Sequence, residues 1–293
     1  MANIPTSDEF RLPVFATLKD IYSFLWSARR DLVLIAAIPI VGLTVYRVAA
    51  IDLFGAVEPA SSNGPRPPTL WDVFILYLPS MLLYTMFAVA WHRRYLIRGE
   101  ATTVWSALRW DLRKTRFLGR SILIWLIAVA IVSVPIVLLT IFGVVLNFAA
   151  ASEVSPPVDV ATLSSVVILA ASVMFFIVYL RLSLWLPVTA SDAPFSSLET
   201  VRLGRGNSWR LMVIVFGAEI GPTIALVILG MLAHMIPQGS ATIDLIVGLA
   251  RNALAYAVLA AGITALSVAY DRLLARVAND PLYTQDGMPF MDE

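Results

Sequence analysis

The stretch Ile122-Leu-Ile-Trp-Leu-Ile-Ala-Val-Ala-Ile-Val-Ser-Val-Pro-Ile-Val-Leu-Leu-Thr-Ile-Phe-Gly-Val-Val-Leu-Asn-Phe148 contains no charged residue. A helix of about 20 apolar residues spans the hydrocarbon of a bilayer and satisfies its backbone groups internally, which no exposed coil can do there. This run therefore reads as a transmembrane helix. Working outward from it, five further stretches read the same way: Leu32–Ile51, Trp71–Trp91, Leu163–Leu186, Leu211–Ile236 and Ile243–Tyr270. The whole chain of 293 residues agrees, being 59% hydrophobic and 14% charged, against about 25% charged in soluble domains. It is expected to form one all-α polytopic membrane domain over residues 1–293. The first apolar run follows some thirty polar or amphipathic residues and is read as a retained anchor rather than a cleaved leader.

Lysine and arginine orient the spans. All but three of the 21 basic residues fall on one side: the N-terminal segment, the second-to-third connection, the fourth-to-fifth connection and the C-terminus. The exceptions are Arg47, Arg66 and Arg251. The opposite side carries acidic or neutral connections over Asp52–Leu70, Ala149–Thr162 and Pro237–Thr242. Both termini are expected in the cytoplasm, and the membrane is expected to be a bacterial inner membrane.

The segments that precede the odd-numbered spans resemble one another. In Val14-Phe-Ala-Thr-Leu-Lys-Asp-Ile-Tyr-Ser-Phe-Leu-Trp-Ser-Ala-Arg-Arg30 the apolar residues at 14, 18, 21, 22, 25 and 26 share a helical face. Thr102 to Arg120 places Val104, Trp105, Leu108 and Leu112 similarly, and Phe195 to Arg210 offers Phe195, Leu198 and Val201. Arg94, Arg181 and Arg272 end the even spans at nearly even spacing, and each odd span holds a proline, Pro39, Pro135 or Pro222. The reading is three pseudo-repeats, about 14–98, 102–192 and 195–278, with a tail over 279–293. Each unit is an amphipathic interfacial helix followed by a transmembrane hairpin.

Two sets of residues are singled out. Arg93, Arg94, Arg98, Arg109, Arg113, Lys114, Arg116 and Arg120 face only Glu100 and Asp111 in the same stretch. They are candidate contacts for anionic lipid headgroups, since each basic residue near such a surface contributes about 1 kcal/mol; the alternative is a connector resting on the membrane. The second set is Glu219 and Arg251, each about 12 Å into its span. The antiparallel spans would leave them about 6 Å apart in depth across a core of about 30 Å, so an intramembrane ion pair is expected, assisted by Asn252. Glu219 lies within Gly217-Ala-Glu-Ile-Gly221-Pro222; the two glycines allow close helix contact and the proline removes a backbone hydrogen bond.

The runs Trp91-His-Arg-Arg-Tyr-Leu-Ile-Arg-Gly-Glu100, Arg181-Leu-Ser-Leu-Trp-Leu-Pro187-Val-Thr-Ala-Ser-Asp192 and Leu203-Gly-Arg-Gly-Asn-Ser-Trp-Arg210 resemble those of bacterial six-helix inner-membrane proteins. That group is similar to YciC-like proteins and to the membrane domain attached to some glycerophosphodiester phosphodiesterases. The catalytic barrel of those phosphodiesterases has no counterpart, so the resemblance implies a membrane fold and no hydrolase activity.

The chain has no cysteine, and His92 and His234 stand outside any paired ligand spacing. No catalytic, metal or cofactor site is therefore expected. A net charge of +1 does not point to nucleic acid. The expected partners are the bilayer, anionic lipids and a membrane protein. The function expected is that of a non-enzymatic scaffold or lipid-associated factor. The alternative is a small transporter or channel built around Glu219, for which a polar cavity reaching that residue would be the sign.

Overall fold

The structure, a computed structural model, describes residues 11–54, 70–97, 99–100, 103–150, 160–193, 200, 203–235 and 241–279. Its elements are α1 (Val14–Ser27), α2 (Arg29–Phe54), α3 (Leu70–Leu96), α4 (Val104–Leu108), α5 (Leu112–Ala150), α6 (Val160–Ser183), α7 (Trp185–Ser191), α8 (Ser208–Met235) and α9 (Ala241–Asn279). Five of these, α2, α5, α6, α8 and α9, are long and apolar enough to cross a membrane. Their side chains turn outward to match: Val134, Val137, Leu138, Ile141 and Phe142 of α5 are all exposed. An apolar surface of this extent is incompatible with water and suits lipid. The protein is a multi-pass membrane protein.

α9 is the axis of the bundle. Two thirds of its apolar stretch is buried, against about a tenth for α5 and α6. A helix that is covered all round belongs at the centre of a bundle. The residues that permit this are small: Ala260, Ala261, Thr264, Ala265, Ser267 and Ala269 are all fully buried. Small side chains bring neighbouring backbones close, and dispersion contacts then replace the hydrophobic drive that lipid cannot supply.

α3 runs parallel to α9 and is joined to it by two hydrogen bonds. Trp91 Nε1 donates to Thr264 Oγ1 at 2.9 Å, and His92 Nδ1 lies 2.7 Å from Ser267 Oγ. Tyr84 and Phe87 both pack on the ring of Tyr256. Along α2, α3 returns antiparallel: Arg94 pairs with Asp31 at 2.6 Å at one end, and the Tyr46 hydroxyl donates to the Ile75 carbonyl towards the other. α1 leans on the first part of α8. Leu12 N donates to Asn207 Oδ1 at 2.9 Å, Arg210 donates to the Leu12 carbonyl at 2.8 Å, and Leu18 lies over Gly217.

Two tyrosines answer prolines. Pro79 has no N–H, so the carbonyl four residues earlier, that of Ile75, loses its helix partner; Tyr46 supplies the missing donor. Pro222 orphans the Ala218 carbonyl in the same way, and the Tyr22 hydroxyl reaches Gly217 O at 2.7 Å and Ala218 O at 3.3 Å. A neighbouring helix thus re-satisfies a backbone group that has no water to turn to.

One introductory helix differs from expectation. The segment 102–120 is not a single surface helix. α4 closes after one short turn, capped by a reciprocal Thr103–Ser106 box, and Arg109 takes an extended conformation. Asp111 then caps a new start by accepting from Lys114 N at 2.9 Å. From Leu112 the helix runs unbroken for 39 residues to Ala150, so residues 112–120 belong to the transmembrane rod itself. Of the third introductory segment, residues 195–199, 201 and 202, with Phe195, Leu198 and Val201 among them, lie outside the described residues, as do the connections 55–69, 151–159 and 236–240 and the tail 280–293.

Tyr46→Phe is expected to lower unfolding stability in detergent by about 1 kcal/mol, the typical worth of one hydrogen bond. In a Pro79→Ala background, which restores a backbone donor for Ile75, the same change should cost much less. A thermal-melting double-mutant cycle reads the difference, and equal losses in both backgrounds would refute the pairing.

Candidate functional site

The bundle holds a cleft of about 290 Å³ between α3, α5, α6, α7, α8 and α9. Its walls are mostly apolar, with Met81, Phe117, Leu180, Val215 and Leu259 among them. Six polar side chains line it: Tyr84, Thr85, His92, Ser121, Tyr179 and Glu219. Glu219 comes from α8 and rests against Gly262 of α9. A methyl group added at Gly262 would lie 2.2 Å from Glu219 Oε1. The glycine is therefore what admits the carboxylate.

Glu219 and Arg251 do not pair. Glu219 is level with Gly262, eleven residues from Arg251 along α9 and so about 16 Å away. The equal-depth argument from the sequence assumed that α8 and α9 enter the membrane at the starts of their apolar runs. The expected span Ile243–Tyr270 is 28 residues long, about 40 Å at helical rise rather than about 30 Å, so Arg251 lies beyond the level of Glu219 even with Leu211 and Tyr270 side by side. Arg251 is exposed and lines a second cleft of about 370 Å³ with Asp244 and His234, beside the α8–α9 connection. Asn252 also serves elsewhere, donating to Thr44 Oγ1 at 2.7 Å and accepting from Arg47 at 3.4 Å. The Gly217 surface receives α1, and nothing lies against Gly221 within 4 Å.

The eight basic residues expected to face lipid divide into groups. Arg93 pairs with Glu100 at 2.6 Å and Asp192 at 3.4 Å, and donates to the Ala190 carbonyl at 3.1 Å. Arg113 pairs with Asp192 at 2.5 Å and Asp111 at 3.6 Å, and Arg94 pairs with Asp31. Lys114 is buried, its ammonium donating to the carbonyls of Ser106 and Arg109. Arg120 donates to Thr189 Oγ1 and lies over the Trp185 ring at 4.7 Å. Four of the eight thus tie α3, α4, α5 and α7 together, and a fifth, Arg94, ties α3 to α2. Arg109 and Arg116 are exposed, and Arg98 lies outside the described residues. Asp192, left-handed at φ 56° at the end of α7, is the hub: aspartate tolerates that backbone better than most residues.

The role of His92 was missed in the sequence. A lone histidine beside a basic run signals little, and only the α3–α9 register reveals it as fully buried and on the wall of the cleft. Among the described residues, no group of three His, Asp or Glu side chains converges in a way that could hold a metal ion. No family model, curated protein or solved structure matches the chain.

Gly262→Ala should displace the Glu219 carboxylate and lower the melting temperature in detergent. In a Glu219→Ala background the loss should fall close to zero, and a loss of undiminished size would show that the two do not touch. Asp192→Asn should cost about 1 kcal/mol, given that its partners are partly exposed. That cost should shrink with added salt in the same melting assay.

Proposed function

We propose that the protein is a non-enzymatic, lipid-associated factor of a bacterial inner membrane, with six spans, both termini in the cytoplasm and an amphiphile held in the bundle cleft. The observation that carries this reading is the lining of that cleft: apolar walls interrupted by a few polar groups, as ligand sites for amphiphilic molecules are built. A volume of about 290 Å³ stands near the lower end of the usual range of about 300–1,000 Å³. It suits a headgroup and the start of a chain rather than a whole lipid.

The sixth span is α3. It is 27 residues long, about 40 Å at helical rise, and its contacts at Arg94–Asp31 and Ile75–Tyr46 run the length of α2. A helix lying antiparallel along a spanning helix crosses with it. The exposed Trp26, Trp105 and Trp209 suit the inner interface, where tryptophan concentrates. The cytoplasmic orientation rests on the basic residues gathered on that side, and the bacterial setting on the resemblance of the Trp91–Glu100 and Arg181–Asp192 runs. A second reading, a small transporter or channel, is favoured by the cleft reaching from His92 down to Glu219 beside Pro222.

A chain without cysteine suits single-cysteine labelling. Ser62→Cys should react with a membrane-impermeant maleimide from outside intact cells, and Arg116→Cys only after permeabilisation. Labelling of both from one side would remove α3 from the spans. The chain purified in mild detergent should retain a lipid-type molecule by mass spectrometry, and Ser121→Trp, which fills the cleft, should release it. Equal retention by the two would argue against the amphiphile reading. Solute flux in proteoliposomes that disappears with Glu219→Gln would favour the second.

A further inference from the structure

The hydroxyl protons of Ser267 and Thr85, on either side of His92, are already spent, and that bears on what the cleft can recognise. Ser267 Oγ donates to the Ile263 carbonyl at 2.9 Å. A hydroxyl has one proton, so at the 2.7 Å contact with His92 Nδ1 the serine oxygen accepts and Nδ1 carries the hydrogen. Nε2 is therefore the unprotonated nitrogen of the ring, a pure acceptor. His92 is fully buried, and its Nε2 has no partner.

The neighbouring groups follow the same logic. Thr85 Oγ1 donates to the Met81 carbonyl at 2.8 Å, leaving lone pairs for the cleft. Glu219 lies against Gly262, and among the described residues no arginine or lysine forms an ion pair with it. Arg251, the cation its position in the sequence suggests, opens into the other cleft. Tyr84, Ser121 and Tyr179 also line the cleft, and their hydroxyls can serve in either role. Nε2 and the carboxylate are thus acceptors only, and the three hydroxyls are the donors that the lining offers. An anionic or carbonyl-bearing ligand would leave Nε2 unanswered and would crowd the carboxylate.

We infer that the cleft selects an amphiphile bearing a primary ammonium group, whose N–H donors meet the carboxylate of Glu219 and whose further donor meets Nε2 of His92. The inference rests on the reading of the cleft as an amphiphile site and adds the chemistry of the headgroup. Glu219 stands level with Gly262 and His92 with Ser267, five residues further along α9 and so about 7.5 Å. A headgroup of modest size bridges that interval. Met81, Leu180 and Leu259 supply apolar wall for the chain attached to it.

Native mass spectrometry of the full chain in detergent tests this directly. The probes are phosphatidylethanolamine, phosphatidylcholine and phosphatidylglycerol with identical acyl chains, and octylamine as a free ammonium. Phosphatidylethanolamine should bind about tenfold or more tighter than the other two lipids, a ratio expected of a charge-assisted hydrogen bond. Glu219→Gln should abolish that preference. The wild-type ranking is itself decisive, so the test survives a poorly folding variant. Displacement of phosphatidylethanolamine by octylamine would identify the free ammonium as a sufficient ligand; retention against it would assign the site to the lipid headgroup. Either supports the inference. Equal binding of the three lipids, or a preference unchanged in Glu219→Gln, would overturn it while leaving the amphiphile reading intact. A cleft that holds no amphiphile at all would remove both.

Discussion

Everything in this bundle depends on how closely other helices can approach α9. In hydrocarbon, helices gain nothing from leaving lipid for one another except dispersion contact and hydrogen bonding. Both fall off steeply with distance. The run from Ala260 to Ala269 keeps the surface of α9 low enough for α1, α2, α3 and α8 to reach it. The two hydroxyls in that run, Thr264 and Ser267, each donate to a carbonyl of their own helix and accept from α3. They bind the partner helix without exposing an unpaired donor. Bulk at any of these positions would push apart several interfaces at once.

A second constraint acts at the basic end of the bundle. The ends of α3 and α7 and the starts of α4 and α5 meet there, and charges join them beside the apolar cluster that includes Trp91, Ala107, Phe117 and Ala190. Asp192 accepts from two arginines on different helices, and the Lys114 ammonium occupies carbonyls left open where α4 ends. The run that in sequence suggests a surface for anionic lipid is in large part an internal clamp. Among the described basic residues of that run only Arg109 and Arg116 are exposed, so the run is not one uniform outward-facing basic surface.

Membrane spans were the most legible feature of the sequence, because the bilayer imposes length and apolarity on each helix separately. The run from Ile122 to Phe148 needs no partner to be recognised. Pairing was not legible, since it depends on register, and register depends on where a helix truly ends. The span Ile243–Tyr270 is longer than the bilayer thickness assigned to it, and that excess length separates Glu219 from Arg251. The hydroxyl–histidine contact was hidden for a similar reason. Ser267 and His92 lie far apart in the chain, and neither belongs to a recognisable motif. The proline–tyrosine pairs were half visible: Pro222 announces an orphaned carbonyl, but nothing in the sequence points to Tyr22 as its donor.

The position of α9 in the chain also bears on biogenesis. Membrane helices enter the bilayer in the order of synthesis, and here the helix around which the others pack follows every other described helix. Until α9 emerges, α1 has Asp20 without Arg272, and α3 has Trp91 and His92 without their hydroxyl partners. The α5–α6 pair, which packs mainly on itself, can wait in lipid at little cost. The earlier helices must persist as inserted but unassembled segments, and assembly is deferred until α9 has been made. A ribosome that stalls before Ala241 would therefore leave a set of spans without a centre, a product that membrane quality control could tell apart from the finished bundle by its exposed polar side chains.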